Sequence, residues 1–331
     1  GGVQGPKLVG ATRLHDGIAI YYSHPSIQVS WMLDAEPHGR TWPNRNDDHR
    51  LGTSHNVRLA WETMLEDAGL GYDFLAYDEV VLHGVPARYK ALILPAAYAL
   101  SDVEARRIAD FAANGGTVIA DFACGLFDQH GRGRSKGALD DLFGVRHDGT
   151  ETRNDFFGGK LWVETDQEKG YKSKSHRELL DTLSPRLHQG FAIAERKLPV
   201  GTVRRVGRGK AVYLNLSPQR YLLYRDARRR TFLDPLGVKP WIRVAGPGLE
   251  TVAWSKNGRT LVLILQNSPP VTEARVPVRV QVAAPVTGVV DERTGRPLPD
   301  GDRFQLDLDT AEAVFLSFQS PPGAVLKFPG P

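Results

Sequence analysis

Cysteine is almost absent from this sequence, which holds one, Cys124, among 331 residues. A single cysteine excludes an internal disulfide bond and a zinc site built from several thiolates. Long apolar runs are also absent, since none approaches the roughly 20 residues that a membrane-spanning helix needs. Neither sign of charge dominates, with 42 Lys and Arg against 38 Asp and Glu, and no nucleic-acid-reading motif is present. We therefore expect no metal, no cofactor, no membrane partner and no nucleic-acid partner.

The N-terminal sequence, GGVQGPKLVGATRLHDG, has no apolar centre of the kind found in a secretory signal peptide. This absence favours a cytoplasmic location. Because the sequence does not begin with Met, its true N-terminus and its compartment stay open.

The most regular stretch of the sequence lies between residues 90 and 132 and predicts one βαβ unit. Ala91–Leu94 and Thr117–Ala120 are continuous apolar runs, as in strands that are covered on both faces of a sheet. Ser101 and Glu104 form an S-x-x-E capping box, which predicts that a helix begins there, and Asn114–Gly116 predicts its end. Ligands bind at the carboxyl ends of parallel strands, so a site is sought first at that edge.

The whole pattern predicts two domains, because 331 residues exceed one ordinary domain. Strands and helices alternate in residues 1–245, including a helix over Pro218–Leu236, and predict a three-layer α/β domain with a mostly parallel sheet. The section 145–199 has no clear pattern. Short strands with hairpin turns such as Asn257-Gly258 follow in residues 246–331, and they predict a small antiparallel β-sandwich.

Polar side chains follow the predicted strands and are candidates for a pocket at the edge of the sheet. The segment Ser23–Ser26 comes after the first strand and is expected to be a binding loop. A metal site or a general base needs several such groups to converge, whereas capping and loop hydrogen bonds are the commoner use of these residue types. The candidate pocket residues are Ser23, His24, Tyr98, Asp121, Cys124, Asp128 and His130.

Two tryptophans, Trp31 and Trp42, lie near or within a long polar segment of the N-terminal region. Aromatic faces stack on sugars and also fill protein interfaces. We therefore regard both residues as candidates for an interface or for a sugar-facing surface.

Two parts of the sequence resemble a known family of enzymes. The stretch ALILPAAYALSDVEARRIADFAANGGTVIADFACGLFDQHGR, followed by GALDDLFGV, resembles the trimerisation domain of family 42 β-galactosidases, which is similar in fold to class I glutamine amidotransferases. The C-terminal stretches RTLVLILQN, GVVDERTGRPL and DTAEAVFLSF resemble the small β-sandwich that ends those enzymes. The resemblance covers roughly residues 8–320, and it implies a homotrimer whose α/β domain helps to enclose an active site.

The catalytic part of those enzymes is not recognisable in this sequence. The family carries both catalytic carboxylates on an N-terminal TIM barrel, a fold of about 250 residues. Glycoside hydrolysis needs two carboxyl groups held across one bond, and no such pair stands out here. The resemblance therefore predicts a non-catalytic assembly and active-site-shaping portion of a β-galactosidase-like glycosidase, with a barrel partner elsewhere and no turnover by the isolated chain.

The alternative is a stand-alone amidotransferase-like enzyme, or a protein that binds a small ligand or carbohydrate near Cys124. An ungapped match to the amidotransferases places Phe122 at the nucleophile position, and Ala96-Ala97 replaces their glycine pair. No His follows the late strand Ala211–Leu216. A third possibility is that the C-terminal sandwich binds carbohydrate, although it contains few aromatic residues.

Overall fold

The computed structural model describes residues 5–35, 53–121, 123–145, 192–193, 198–199, 201–214, 218, 221–224, 229–245, 249–266, 275–309 and 313–319. The helices are α1 Gly5–Leu8, α2 His24–Ala35, α3 Thr53–Asp67, α4 Tyr77–His83, α5 Asp102–Ala113, α6 Asp140–Phe143, α7 Tyr221–Tyr224 and α8 Arg229–Leu233, with a 3-10 turn at Asp234–Leu236. The first nine strands are β1 Thr12–Leu14, β2 Ile18–Tyr22, β3 Tyr72–Ala76, β4 Ala91–Leu94, β5 Thr117–Ala120, β6 Ala192–Ile193, β7 Leu198–Pro199, β8 Gly201–Val206 and β9 Gly209–Leu214. The remaining strands are β10 Ile242–Ala245, β11 Leu249–Lys256, β12 Arg259–Gln266, β13 Arg275–Val286, β14 Val290–Asp291, β15 Arg296–Pro297, β16 Gly301–Asp309 and β17 Ala313–Gln319. No helix in these ranges is long and apolar enough to cross a membrane.

The chain forms two compact units. The α/β unit comprises Ile18–Met64 and Asp73–Val238, and the sandwich unit comprises Gly1–Gly17, Leu65–Tyr72 and Lys239–Pro331. This division differs from the expected one at residue 245. The reason is strand pairing: β1 pairs with β11, and β10 pairs with β13, so both belong to the sheets of the sandwich unit.

A six-stranded sheet forms the centre of the α/β unit, with the strand order β3-β2-β4-β5-β9-β8. The pairs β2-β4, β4-β5 and β5-β9 are parallel, and the hairpin β8-β9 is antiparallel. Every residue of β4 and β5 is buried, which is typical of central strands covered on both faces. The continuous apolar runs in the sequence therefore predicted a mostly parallel sheet correctly.

Helix α5 begins with the predicted capping box. The backbone N–H of Glu104 donates to Ser101 Oγ (3.2 Å), and the backbone N–H of Ser101 donates to Glu104 Oε2 (2.7 Å). The apolar residues Ile108 and Phe111 are buried on the inner face of the helix. This helix therefore connects β4 to β5 as the sequence predicted.

One local prediction in the α/β unit was wrong, and one helix was missed. Helix α2 begins at His24, so Ser23–Ser26 is not a loop; Pro25 lies in the first turn, where proline needs no backbone hydrogen bond. The short helix α4 was not predicted. Within the range Pro218–Leu236, for which a helix was expected, the described residues form α7, α8 and a 3-10 turn, and the other residues of this range lie outside the described ones.

Two antiparallel sheets form the sandwich unit. One has the order β1-β11-β12-β17-β14-β15, and the other has the order β10-β13-β16. Alternate residues of both sheets enter a single apolar core, among them Val262 and Leu316 from the first sheet and Val280 and Phe304 from the second. The antiparallel β-sandwich predicted from short strands and turns is therefore present.

Side-chain contacts, as well as the pairing of β1, connect the N-terminal segment to the sandwich. Lys256 Nζ donates to the carbonyl oxygens of Pro6 (3.4 Å) and Lys7 (3.1 Å). Lys7 forms an ion pair with Glu292, which also accepts a hydrogen bond from the Ser317 hydroxyl. Together with the pairing of β1, these contacts explain why residues 5–17 belong to the sandwich unit.

Candidate functional site

Asp121 lies at the carboxyl end of β5 and is fully buried. Its Oδ2 accepts a hydrogen bond from Trp61 Nε1 (2.9 Å), and its Oδ1 accepts one from the backbone N–H of Ala96 (2.7 Å). Ala96 has φ 44°, in the left-handed region that residues with a Cβ rarely adopt. The Asp121 carboxylate therefore joins helix α3 to the strained turn after β4, and it acts as an internal tie.

Cys124 is also buried, with 1% of its surface exposed. Burial, followed by the nearby carboxylates of Asp121 and Asp140, raises the pKa of the Cys124 thiol well above its ordinary value. Because the thiolate is the nucleophilic form of cysteine, a buried thiol with a raised pKa is unreactive. The geometry thus favours a packing role for this residue.

Ala123 occupies the sharp turn that follows β5. Its φ is 58°, and its backbone N–H donates to the Tyr213 hydroxyl oxygen (3.1 Å). Burial raises the pKa of Tyr213, so this hydroxyl stays neutral. The strained position in the turn carries alanine, which offers no nucleophile. Phe122, which the ungapped match placed at the nucleophile position, lies outside the described residues.

Two serines tie α2 to the loop after β4. Ser26 Oγ donates to the Ala99 carbonyl oxygen (3.0 Å) and accepts from the Ala99 backbone N–H (3.0 Å). Ser23 Oγ accepts from the Ser26 backbone N–H (3.2 Å). Tyr98 is 2% exposed within the same loop. Ser23 and Tyr98 therefore belong to the packed interior at this end of the sheet.

The other three candidates lie at the surface. His24 and His130 are exposed, and their Nε2 atoms lie 3.2 Å and 3.1 Å from the side-chain nitrogens of Gln28 and Gln129. Asp128 Oδ1 accepts the backbone N–H groups of His130 (2.8 Å) and Arg132 (2.9 Å), and these bonds lower the pKa of the Asp128 carboxyl. The structure thus divides the seven predicted residues into four buried and three surface side chains.

No group of three or more His, Cys, Asp or Glu side chains that could hold a metal ion occurs among the residues that the structure describes. Trp31 is partly buried in α2. Trp42 lies outside the described residues. The interface or sugar-facing role of both tryptophans stays a prediction.

Sequence reasoning missed a buried pair that joins β2 to α5. The Tyr21 hydroxyl donates to Glu104, whose side chain is 1% exposed, although the two residues lie 83 positions apart. Burial raises the pKa of Tyr21, with the Glu104 carboxylate as the next cause. The capping box identified Glu104 as a helix-start residue, but no local pattern in the sequence points to its second partner.

An exposed aromatic pair was also missed. The rings of Tyr22 and Phe74 meet edge to face with 6.3 Å between their centroids, and the Arg58 guanidinium lies 5.2 Å from the centre of the Tyr22 ring. Tyr22 is 39% exposed and Phe74 is 44% exposed. Because the two rings are adjacent and exposed, they are a candidate contact surface of the α/β unit.

The chain thus combines an α/β unit, whose strand-end polar groups bond to backbone and indole groups, with a β-sandwich unit. Residues 17–229 match the family described as the β-galactosidase trimerisation domain, and the chain belongs to this family. The matched range begins at the first strand of the α/β unit and ends within α8.

The chain is similar to several β-galactosidases. β-Galactosidase BgaP of Planococcus sp. (strain L4) is 26% identical in an alignment of 191 residues that covers 55% of this chain and 28% of that protein. The structure of β-galactosidase from Bacillus circulans sp. alkalophilus is similar with a TM-score of 0.60 and 16% identity, over 95% of this chain and 43% of that one.

A catalytic mutant of Gan42B, a GH42 β-galactosidase from G. stearothermophilus, is similar with a TM-score of 0.59 and 17% identity, over 95% of this chain and 41% of that one. At these identities the structural likeness shows a shared fold. The chain spans less than half of the length of each of these relatives, from 28% of BgaP to 43% of the B. circulans enzyme.

Proposed function

We propose that this chain is the assembly and active-site-shaping portion of a β-galactosidase-like glycoside hydrolase of family 42, whose catalytic TIM barrel lies outside this sequence. The family match over residues 17–229 carries the proposal, because it covers most of the α/β unit. The partial coverage of the larger β-galactosidases supports the same conclusion. The three-layer, amidotransferase-like arrangement of the α/β unit is part of this proposal.

The hydrogen bonds of the polar groups at the strand ends support a structural role for the α/β unit. In a catalytic site, polar groups are held ready to meet a substrate. Here the Asp121 carboxylate, the Tyr213 hydroxyl and the Ser26 hydroxyl bond to backbone or indole groups of the chain itself. This end of the sheet therefore serves to hold loops and helices in place.

The alternative of a stand-alone amidotransferase-like enzyme has less support. It requires Cys124 to be accessible and to have a lowered pKa, whereas this thiol is 1% exposed and burial raises its pKa. Ala123, at the strained turn after β5, has no nucleophilic side chain, and this also counts against an amidotransferase-like activity.

The native mass of the chain, measured by light scattering across a dilution series, tests the proposal. Closed cyclic symmetry is the usual arrangement of homo-oligomers. We expect a homotrimer of about 110 kDa, three times the chain mass of 36.5 kDa. A mass of 36.5 kDa at every concentration would contradict self-assembly by this chain.

Exposed apolar side chains offer variants that locate the contact. Tyr22 and Phe74 lie in the α/β unit, and Val9, at 74% exposure, lies in the sandwich unit. If the trimer forms through the α/β unit, Tyr22→Ser with Phe74→Ser weakens association upon dilution, and the control Val9→Ser does not. Equal weakening by both variants would argue against an α/β contact.

A further inference from the structure

The outer face of the three-stranded sheet carries arginine and glutamine side chains in two rows. Arg243 of β10 is opposite Gln281 of β13, and Gln281 is opposite Arg303 of β16. Arg279 of β13 is opposite Gln305 of β16 in the adjacent row. All five side chains are exposed. Residues directly opposite on paired strands share one face of the sheet, so the five side chains form one surface, which we call the arginine face.

The other side of the same strands is the apolar core. Val280, Val282 and Phe304 alternate with the residues of the arginine face and are 1%, 1% and 6% exposed. Because successive side chains of a strand point to opposite faces, this burial fixes the orientation of the arginine face towards solvent. The position of the charges thus follows from the core of the sandwich and not from flexible loops.

Strand geometry sets the spacing of the charges. Neighbouring strands are about 4.8 Å apart, so the backbones of Arg243 and Arg303 are about 10 Å apart across β13. Arg279 is two residues from Gln281 along β13, a distance of about 7 Å. None of the ion pairs among the described residues involves these three arginines. The guanidinium groups therefore present a compact triangle of positive charge.

One row of the arginine face spans all three strands of the sheet, from Arg243 of β10 through Gln281 of β13 to Arg303 of β16. An extended anion would cross the sheet along this row.

We propose that the arginine face binds an acidic polysaccharide, with the guanidinium groups on its carboxylate or sulfate groups and the glutamine amides on its hydroxyls. Guanidinium groups form paired hydrogen bonds with such anions, and primary amides both donate to and accept from hydroxyls. The inference extends beyond the assembly role, because it concerns the sandwich unit and needs no second copy of the chain.

Other partners fit this surface less well. The centre of a protein contact is enriched in apolar and aromatic side chains besides arginine, and the five side chains of the arginine face include no apolar or aromatic one. The large apolar side chains that are exposed among the described residues, namely Val9, Tyr22, Met32, Phe74 and Leu82, lie outside the three-stranded sheet. A single-stranded nucleic acid needs aromatic rings for base stacking, and the two rows contain none.

Binding of the full chain to three polymers tests the proposal, with polygalacturonate for carboxylates, dextran sulfate for sulfate groups and uncharged dextran as the neutral reference. We expect binding to one or both acidic polymers at about 0.05 M salt and weaker binding at about 0.5 M, because exposed charges are screened by salt. The acidic polymer that binds identifies the anion. Binding to neither, or equal binding to dextran, would overturn the proposal.

Two triple variants with the same change in net charge test whether binding depends on the arginine face or only on the overall charge of the chain. The site variant combines Arg243→Gln, Arg279→Gln and Arg303→Gln. The control variant removes the same charge from exposed arginines elsewhere through Arg13→Gln, Arg106→Gln and Arg296→Gln. Each exposed ionic contact contributes roughly a two- to fivefold change in affinity, so the site variant should bind roughly 10- to 100-fold more weakly.

The control variant should bind within about threefold of the unaltered chain, since it leaves the arginine face intact. Equal losses in both variants would show that net charge, and not this face, causes binding. Tighter binding of an oligothymidylate than of either acidic polymer, lost in the site variant, would assign the face to nucleic acid instead. Circular dichroism of each variant checks that the fold is retained, and the salt and polymer comparisons on the unaltered chain stand without the variants.

Discussion

Replacing Asp121 by Asn is the sharpest test of the internal tie at the end of β5. The carboxylate is fully buried and accepts N–H groups from Trp61 (2.9 Å) and Ala96 (2.7 Å). An Asn side chain keeps one acceptor oxygen and turns a donating NH2 group towards the second N–H. One buried donor therefore loses its acceptor, and two donors face each other.

The expected loss follows from the cost of a broken hydrogen bond to a charged group, which is about 1.5–3 kcal/mol. We expect Asp121→Asn to lower the free energy of unfolding by about 2–3 kcal/mol. The exposed control Asp110→Asn on α5 should change it by about 0.5 kcal/mol or less. Both values are measured by urea unfolding at pH 7, followed by far-ultraviolet circular dichroism.

A double-mutant cycle with Trp61→Phe assigns the loss to the indole contact. Phe lacks the indole N–H, so in this background the Asn oxygen can face the Ala96 N–H while its NH2 group opposes no donor. The cost of Asp121→Asn should then fall to about 1 kcal/mol, a coupling of at least about 1 kcal/mol. The cycle cancels the other losses of Trp61→Phe, including its ring contact with Phe232 at 5.6 Å.

Equal costs of Asp121→Asn in both backgrounds would refute the reasoning, because they would show that the carboxylate and the indole are energetically independent. If Asp121→Asn lowers the free energy of unfolding by no more than the Asp110→Asn control does, the buried hydrogen bonds of Asp121 do not stabilise the fold as proposed.

Three further predictions concern the same unit. At neutral pH, a thiol reagent should label Cys124 far more slowly in the folded chain than in the chain unfolded by urea. Equal labelling rates would instead support the alternative in which Cys124 is reactive. Burial raises the pKa values of Cys124, Tyr21 and Tyr213, so each group contributes its full stability only below its unfolded pKa, which is about 8.5 for cysteine and about 10 for tyrosine. Above that value the free energy of unfolding should fall by about 1.4 kcal/mol per pH unit for each group that ionises only when unfolded. Urea unfolding from pH 7 to 10.5 measures this fall, and a flat profile contradicts it. Gly209→Ala should lower the free energy of unfolding by about 2–4 kcal/mol, because a Cβ there would lie 2.2 and 2.3 Å from two backbone carbonyl oxygens. The control Gly133→Ala has no atom within 4 Å of its Cβ and should be nearly neutral.

Local patterns in the sequence were sufficient for the elements that form through their own residues. The capping box at Ser101 and Glu104 predicted the start of α5, and apolar runs predicted β4 and β5, because caps and burial on both faces leave local signals. Alternation and turns predicted the strands of the sandwich for the same reason. The family resemblance rests on these signals too.

Tertiary structure alone decided which distant residues meet. Asp121 and Trp61 are 60 positions apart in the sequence, and Tyr21 and Glu104 are 83 positions apart. No local sequence pattern therefore predicts either contact. The same holds for strand β1, whose membership in the sandwich depends on pairing with a strand more than 200 residues later. Sequence determines the propensity and the buried face of each element, whereas the contacts between elements depend on how those faces pack together. For this reason the seven strand-end candidates could be proposed from the sequence, and only the fold separated the buried ties from the surface groups.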